Sequence, residues 1–138
     1  MFRKRLKPAQ ITRLDEIDAL AAEGKPVLID FFQVNCQPCR IMDGIVNELA
    51  DEYAGAAHIV KVDVTRVRGA AETYGVRSTP TFVLLARSQK KPSKKARRKA
   101  GGGPAPSAAP SPRWRASGLV RKDIISRALE SNGAVPRS

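Results

Sequence analysis

Apolar positions recur along this chain with two periods, one helical and one extended. Leu14, Ile17 and Leu20–Ala21 fall at helical spacing, with acids in the first turn where the helix dipole favours them. They predict a helix over Leu14–Glu23, closed by Gly24 as a C-cap. The run Val27–Phe32 is short and almost wholly apolar, and predicts a strand buried on both faces. A second helical stripe follows Cys36-Gln37-Pro38-Cys39, made of Ile41, Ile45–Val46, Leu49–Ala50 and Tyr53. His58–Val64 alternates as a strand does, residues 67–74 read as a short helix ended by Gly75, and Thr81–Leu85 is a third strong strand behind Ser78-Thr79-Pro80. Near the end, Trp114–Ser117 reads as a short strand and Leu119–Leu129 as a helix with Ile124–Ile125 and Ala128–Leu129 on its stripe. The β–α–β–α–β portion of this order implies a parallel sheet covered on both faces, with an antiparallel pair added at the end.

Composition divides the chain further. Residues 88–112 hold no large apolar side chain and consist mainly of Lys, Arg, Pro, Ala, Gly and Ser. Such a segment buries too little apolar surface to offset its ordering entropy, so disorder is expected there. The formal net charge of +12 is concentrated in two places. Residues 1–10 carry four basic side chains and residues 87–115 carry ten, and neither stretch has an acid. What remains is eleven basic residues against all thirteen acidic ones, a nearly neutral body. The expected organisation is a basic N-terminal tail over 1–10, one α/β domain over 11–132 interrupted by the 88–112 insert, and a C-terminal tail over 133–138. No run of about 18 apolar residues is present, so no transmembrane helix is read. No apolar stretch follows the basic start either, which makes the cytosol the default compartment.

Two cysteines, Cys36 and Cys39, are the chain's only ones. A single close pair builds no disulfide framework and reads as redox chemistry or half of a metal site. A metal would need further ligands, and the sequence offers His58 as its one histidine, so no metal and no cofactor is expected. The pair sits where a strand passes into a helix. Pro38 falls in the first helical turn, where its missing N–H costs little, and Cys36 falls at or near the N-cap. Thiolate is the attacking species in disulfide exchange, and at a pKa of ~8.5 only about 3% is ionised at pH 7. Bringing the pKa to ~7 needs ~2 kcal/mol, of which the helix dipole supplies ~0.3–1 kcal/mol and hydrogen bonds in the first turn the rest. Cys36 is therefore the candidate nucleophile and Cys39, one turn deeper, the resolving thiol. Asp30 is an acid inside an apolar strand, and burial would raise its pKa.

The stretches KPVLIDFFQVNCQPCR, LADEY, KVDV and YGVRSTPTF occur here in the order and at the spacing of the thioredoxin family, which the chain resembles over about 11–86 and again over about 114–132. The resemblance implies a thioredoxin fold with a central mixed β-sheet flanked by helices, the basic insert lying in the last hairpin. It implies that Asp30 lies beneath the disulfide as general base for Cys39, and that Lys61 can pair with Asp30. It implies a cis bond before Pro80, with the Thr79-Pro80 loop facing the cysteines and pairing with an extended substrate peptide. Asn35 stands where the family usually has tryptophan, Gln37 replaces glycine inside the motif, and Gly44 stands at a frequent proline position. Pro38, in place of the histidine of strong oxidants and isomerases, favours a reductant.

The activity implied is protein-disulfide reduction through a Cys36–Cys39 dithiol/disulfide cycle. Protein disulfides are the substrates, an electron donor resembling thioredoxin reductase restores the dithiol, and the protein is expected to be a monomer. A second reading is a binding module, in which the insert recruits the scaffold to nucleic acid or an acidic partner. The basic side chains within 90–99 would make a weak contact with nucleic acid or an anionic surface by counterion release. A third is a metal-binding scaffold using the two thiolates.

Overall fold

A computed structural model describes residues 4–89 and 109–137. Five strands and four helices follow along the described residues: β1 (Ala9–Ile11), α1 (Leu14–Ala22), β2 (Val27–Phe32), α2 (Gln37–Glu52), β3 (His58–Asp63), α3 (Ala70–Tyr74), β4 (Thr81–Ala86), β5 (Ser111–Ser117) and α4 (Lys122–Ser131). Residues 90–108, which hold most of the expected insert and its 90–99 basic run, lie outside the described residues.

The strands form one mixed sheet in the order β1-β3-β2-β4-β5. β3 runs parallel to both β1 and β2, while β4 is antiparallel to β2 and β5 antiparallel to β4. The third strong strand is thus not parallel to the first two, which corrects the all-parallel reading of the β–α–β–α–β portion. The connection through α3 returns the chain to the end of the sheet it left: Asp63, where β3 ends, pairs with Phe32, and Thr81, where β4 starts, pairs with the adjacent Phe31. β4 therefore begins near the end at which β3 finished and runs the opposite way.

β2 is central, and its alternation splits the core in two. Val27, Ile29 and Phe31 belong to a cluster with Ile17 and Ala21 of α1 and Ala70 of α3. Leu28 belongs to the opposite cluster, with Met42, Val46 and Leu49 of α2 and Ile125 and Leu129 of α4. By parity, Asp30 shares the α2 face with Leu28. On β3 the same parity places Ile59 and Lys61 on that face, and on β4 Phe82 and Leu84.

Three elements depart from the sequence expectation. β1 includes residues 9 and 10, which read as tail. It has one buried apolar side chain, Ile11, and so no periodic signal; backbone pairing of Ala9, Gln10 and Ile11 with Val60, Lys61 and Val62 makes it a strand. β5 starts at Ser111, not Trp114, because it is an edge strand with a register break between Leu84 and Leu85 of its partner. Leu84 pairs with Trp114 and Leu85 with Pro112, leaving Arg113 as the extra residue of a bulge; an edge position tolerates the N–H that Pro112 lacks. Residues 133–137 do not hang free. Ala134 is buried, Arg137 N–H donates to Glu52 O at 2.7 Å, and the Arg137 guanidinium pairs with Asp51 at 2.5 Å.

Leu129 is fully buried against α2, whereas Ile124 on the same helix is 39% exposed. Leu129→Ala is expected to destabilise the protein by about 2–5 kcal/mol, and Ile124→Ala by well under half of that. Urea unfolding of both variants checks this; similar losses would mean that α4 is not packed as described.

Candidate active site

β2 delivers the chain from the centre of the sheet to the start of α2, and the cysteines lie at that junction. Cys36 is the N-cap of α2, with extended backbone (φ −121°, ψ 106°), and its sulfur accepts a hydrogen bond from Cys39 N–H at 3.2 Å. Gln37 and Pro38 follow as the first two helical residues and are exposed. The two sulfurs are joined in a disulfide, with Cα atoms 5.2 Å apart. Both cysteines are buried, Cys36 at 7% exposure and Cys39 at 4%. Around them Val34, Asn35 and Ile41 are exposed, Val34 and Ile41 each by more than half.

The loop before β4 faces this cap. The Thr79–Pro80 peptide bond is cis, and Thr79 O lies 3.4 Å from Cys36 Sγ. The closed disulfide has no proton to give, so this is a polar contact; a Cys36 thiol at the same place would have an acceptor waiting. Three groups with no sequence signal hold the loop. Thr81 is buried, and its hydroxyl donates to Ser78 O at 2.6 Å and lies 3.0 Å from the Ser117 hydroxyl. Gly118 N–H donates to Pro80 O at 2.9 Å from a backbone with φ +81°, a conformation that glycine adopts without steric penalty. The contacts to Ser117 and Gly118 join residues far apart in sequence, and only the β4–β5 pairing brings them together.

Asp30 is 1% exposed on the α2 face of β2. Among the described residues neither of its carboxylate oxygens has a hydrogen-bond partner. Burial pushes its pKa up to about 7; the Lys61 charge acts against that and the Asp43 charge with it. Asp63, also buried, is different: its carboxylate accepts from Thr65 N–H at 2.9 Å and from the Thr65 hydroxyl at 2.6 Å. One buried acid is tied into a turn, and the other is left chemically open.

Lys61 is the register neighbour of Asp30 on β3, but its ammonium is not bonded to Asp30. It donates to Asp43 Oδ1 of α2 at 2.8 Å and lies 4.6 Å from the centre of the Phe32 ring. Asp43 is absent from the sequence reading, although it stands one helical turn beyond Cys39 on the same side of α2. Among the described residues no group of three or more His, Cys, Asp or Glu side chains is arranged to hold a metal.

A carboxyl that ionises at about 7 in the fold and near 3.8 when exposed makes stability depend on pH. Between those values the folded chain holds a proton that the unfolded chain has released, so stability falls as pH rises from about 4 to about 7 and then levels. For a shift of this size the loss is about 4 kcal/mol. Asp30→Asn is expected to lack that decline. Urea unfolding at pH 4, 6 and 8 should therefore show the variant gaining on wild type as pH rises; parallel curves would mean that Asp30 ionises normally.

The family model described as thioredoxin matches residues 10–102. Over 70 residues the chain is 39% identical to Thioredoxin-1 of Drosophila melanogaster, covering 51% of this chain and 65% of that protein. Against Thioredoxin C-2 of Corynebacterium nephridii the identity is 41% over 70 residues, covering 51% and 64%. The aligned region is thus less than two-thirds of the length of these curated relatives. Among solved structures, a mutant thioredoxin from Halobacterium salinarum superposes with a TM-score of 0.69 at 24% identity, covering 98% of both chains. The thioredoxin of Malassezia sympodialis gives 0.71 at 20% identity, covering 96% of both. The structural likenesses show the fold, and the family model's match over 10–102, more than half of the chain, places this chain in the thioredoxin family.

Proposed function

We propose that the chain is a thiol–disulfide oxidoreductase that reduces disulfides in other proteins. The observation that carries this is the Cys36–Cys39 disulfide at the N-terminus of α2, with the Cys36 sulfur capping the helix. In the reduced protein, the same cap geometry and the Cys39 N–H favour charge on Cys36 Sγ. The Cys36 thiolate attacks one sulfur of a substrate disulfide. A mixed disulfide forms, and the second substrate sulfur leaves with the electron pair and takes up a proton. Cys39 then gives its proton to the Asp30 carboxylate and attacks Cys36 Sγ. The Cys36–Cys39 bond forms, the remaining substrate sulfur leaves as a thiolate, and two electrons have passed from the dithiol to the substrate.

An acid held at about 7 fits the second step, because near neutral pH it is present both as an acceptor and as a reloadable acid. The backbone of Thr79, beside Cys36, offers an extended substrate peptide a strand to pair with. Pro38 in the motif, rather than a proton-donating side chain, is the sequence feature that favours reduction over oxidation. Restoring the dithiol requires an electron donor of the thioredoxin-reductase type, and the proposed compartment is the reducing cytosol.

With dithiothreitol as donor, the wild-type chain is expected to speed insulin-disulfide reduction, and Cys36→Ser to fall to the uncatalysed background. No acceleration by wild type would remove the proposal. Cys39→Ser should trap substrate through Cys36, visible as a mixed-disulfide band that dithiothreitol dissolves. Trapping by the Cys36→Ser variant through Cys39 instead would reverse the two roles.

A further inference from the structure

In this site two carboxylates, Asp30 and Asp43, compete for one cation. Lys61 from β3 and Asp43 from α2 are the charged groups that act on Asp30, and its register neighbour on β4 is the uncharged Phe82. On α2, Cys39 lies one turn back from Asp43 and Cys36 two. The ammonium of Lys61 has gone to Asp43. That pair is partly exposed, with side-chain accessibilities of 21% for Lys61 and 40% for Asp43, whereas Asp30 is enclosed. The preference follows from solvation: an ammonium drawn under the sheet face to Asp30 would lose water that it keeps at the rim. Two further constraints fix the ammonium there, the Asp43 hydrogen bond at 2.8 Å and the face of the Phe32 ring at 4.6 Å.

From this arrangement we infer that Asp43 is a positioning residue for the redox site: by anchoring Lys61 at the rim it withholds that cation from Asp30 and so sets the pH at which Asp30 gives up its proton. The two charges of the Lys61–Asp43 pair act on Asp30 in opposite directions, and burial outweighs either of them. Removing Asp43 leaves a net positive charge nearby and frees the ammonium to move inward, and both effects favour the Asp30 carboxylate. Removing Lys61 leaves a negative charge, which disfavours it. The two substitutions must therefore act with opposite sign, which a merely structural role for the ion pair does not require. The inference rests on the proposed function for its meaning in catalysis, though not for its measurement.

The test is a pH titration of the oxidised protein, in which neither thiol titrates, following the Asp30 carboxyl carbon by NMR with 13C-labelled aspartate. Asp43→Asn is expected to lower the Asp30 midpoint by about one pH unit, Lys61→Met to raise it by a similar amount, and Asp43→Glu to restore it. An Asp43→Asn midpoint within about 0.2 unit of wild type, or shifts of the same sign in Asp43→Asn and Lys61→Met, would overturn the inference. Urea unfolding of each variant separates this from loss of the fold: a destabilised Asp43→Asn protein with an unmoved midpoint also overturns it. A kinetic arm then distinguishes the inference from the function beneath it. If Asp30 takes the Cys39 proton, Asp43→Asn should release substrate from the mixed disulfide about fivefold faster at pH 6, since a midpoint lowered from about 7 to about 6 raises the carboxylate fraction by that factor. A shifted midpoint with an unchanged release rate supports the hold of Asp43 on Asp30 and removes Asp30 from the proposed mechanism.

Discussion

A single hydrogen bond, from Cys39 N–H to Cys36 Sγ, ties the architecture to the chemistry. The first turn of any helix has N–H groups without partners, and here a sulfur takes the place usually held by a serine or aspartate oxygen. The cap is therefore also one of the two atoms of the disulfide. For the sulfur to reach that position, β2 must end where α2 begins, and β2 must lie at the middle of the sheet so that α2 can cover it. The arrangement of β3 and β4 on either side of β2 follows from that requirement, as does the apolar character of every β2 position except Asp30.

Asp30 is tolerated in that strand at a cost to stability. A carboxyl enclosed without hydrogen bonds avoids becoming a buried charge by keeping its proton. Asp63 shows the alternative within the same sheet, where a hydroxyl and an N–H of Thr65 satisfy a buried acid. The contrast sets the two buried acids apart: among the described residues, hydrogen-bond donors meet the carboxylate at position 63 and none meets the one at position 30.

Much of this was legible in the sequence because it depends on local pattern. The Cys36–Cys39 spacing, Pro38 in the first turn and an acid in an otherwise apolar run all lie within residues 30–39. Resemblance added the Thr79-Pro80 loop, which composition alone does not mark. Other parts were not readable, each for a physical reason. β1 is too short to show a period. The bulge at Arg113 and the edge-strand Pro112 disguise the start of β5. Asp43 looks like an ordinary polar helix residue until Lys61, 18 residues away, is seen bonded to it. Ser117 and Gly118 reach the cis loop only because β4 and β5 are paired.

The Asp51 carboxylate, near the far end of α2, draws in both the segment leading into β1 and the one leaving α4: Leu6 N–H donates to Asp51 Oδ1 at 3.1 Å, and the Arg137 guanidinium donates to the same oxygen. About fifteen residues of helix separate Asp51 from Cys36, a rise of about 22 Å. The molecule thus has two poles, one that carries the Cys36–Cys39 disulfide and one where its chain is fastened. A tag or carrier protein joined through either segment would be held at the fastening pole, leaving the face around Cys36 and Cys39 clear.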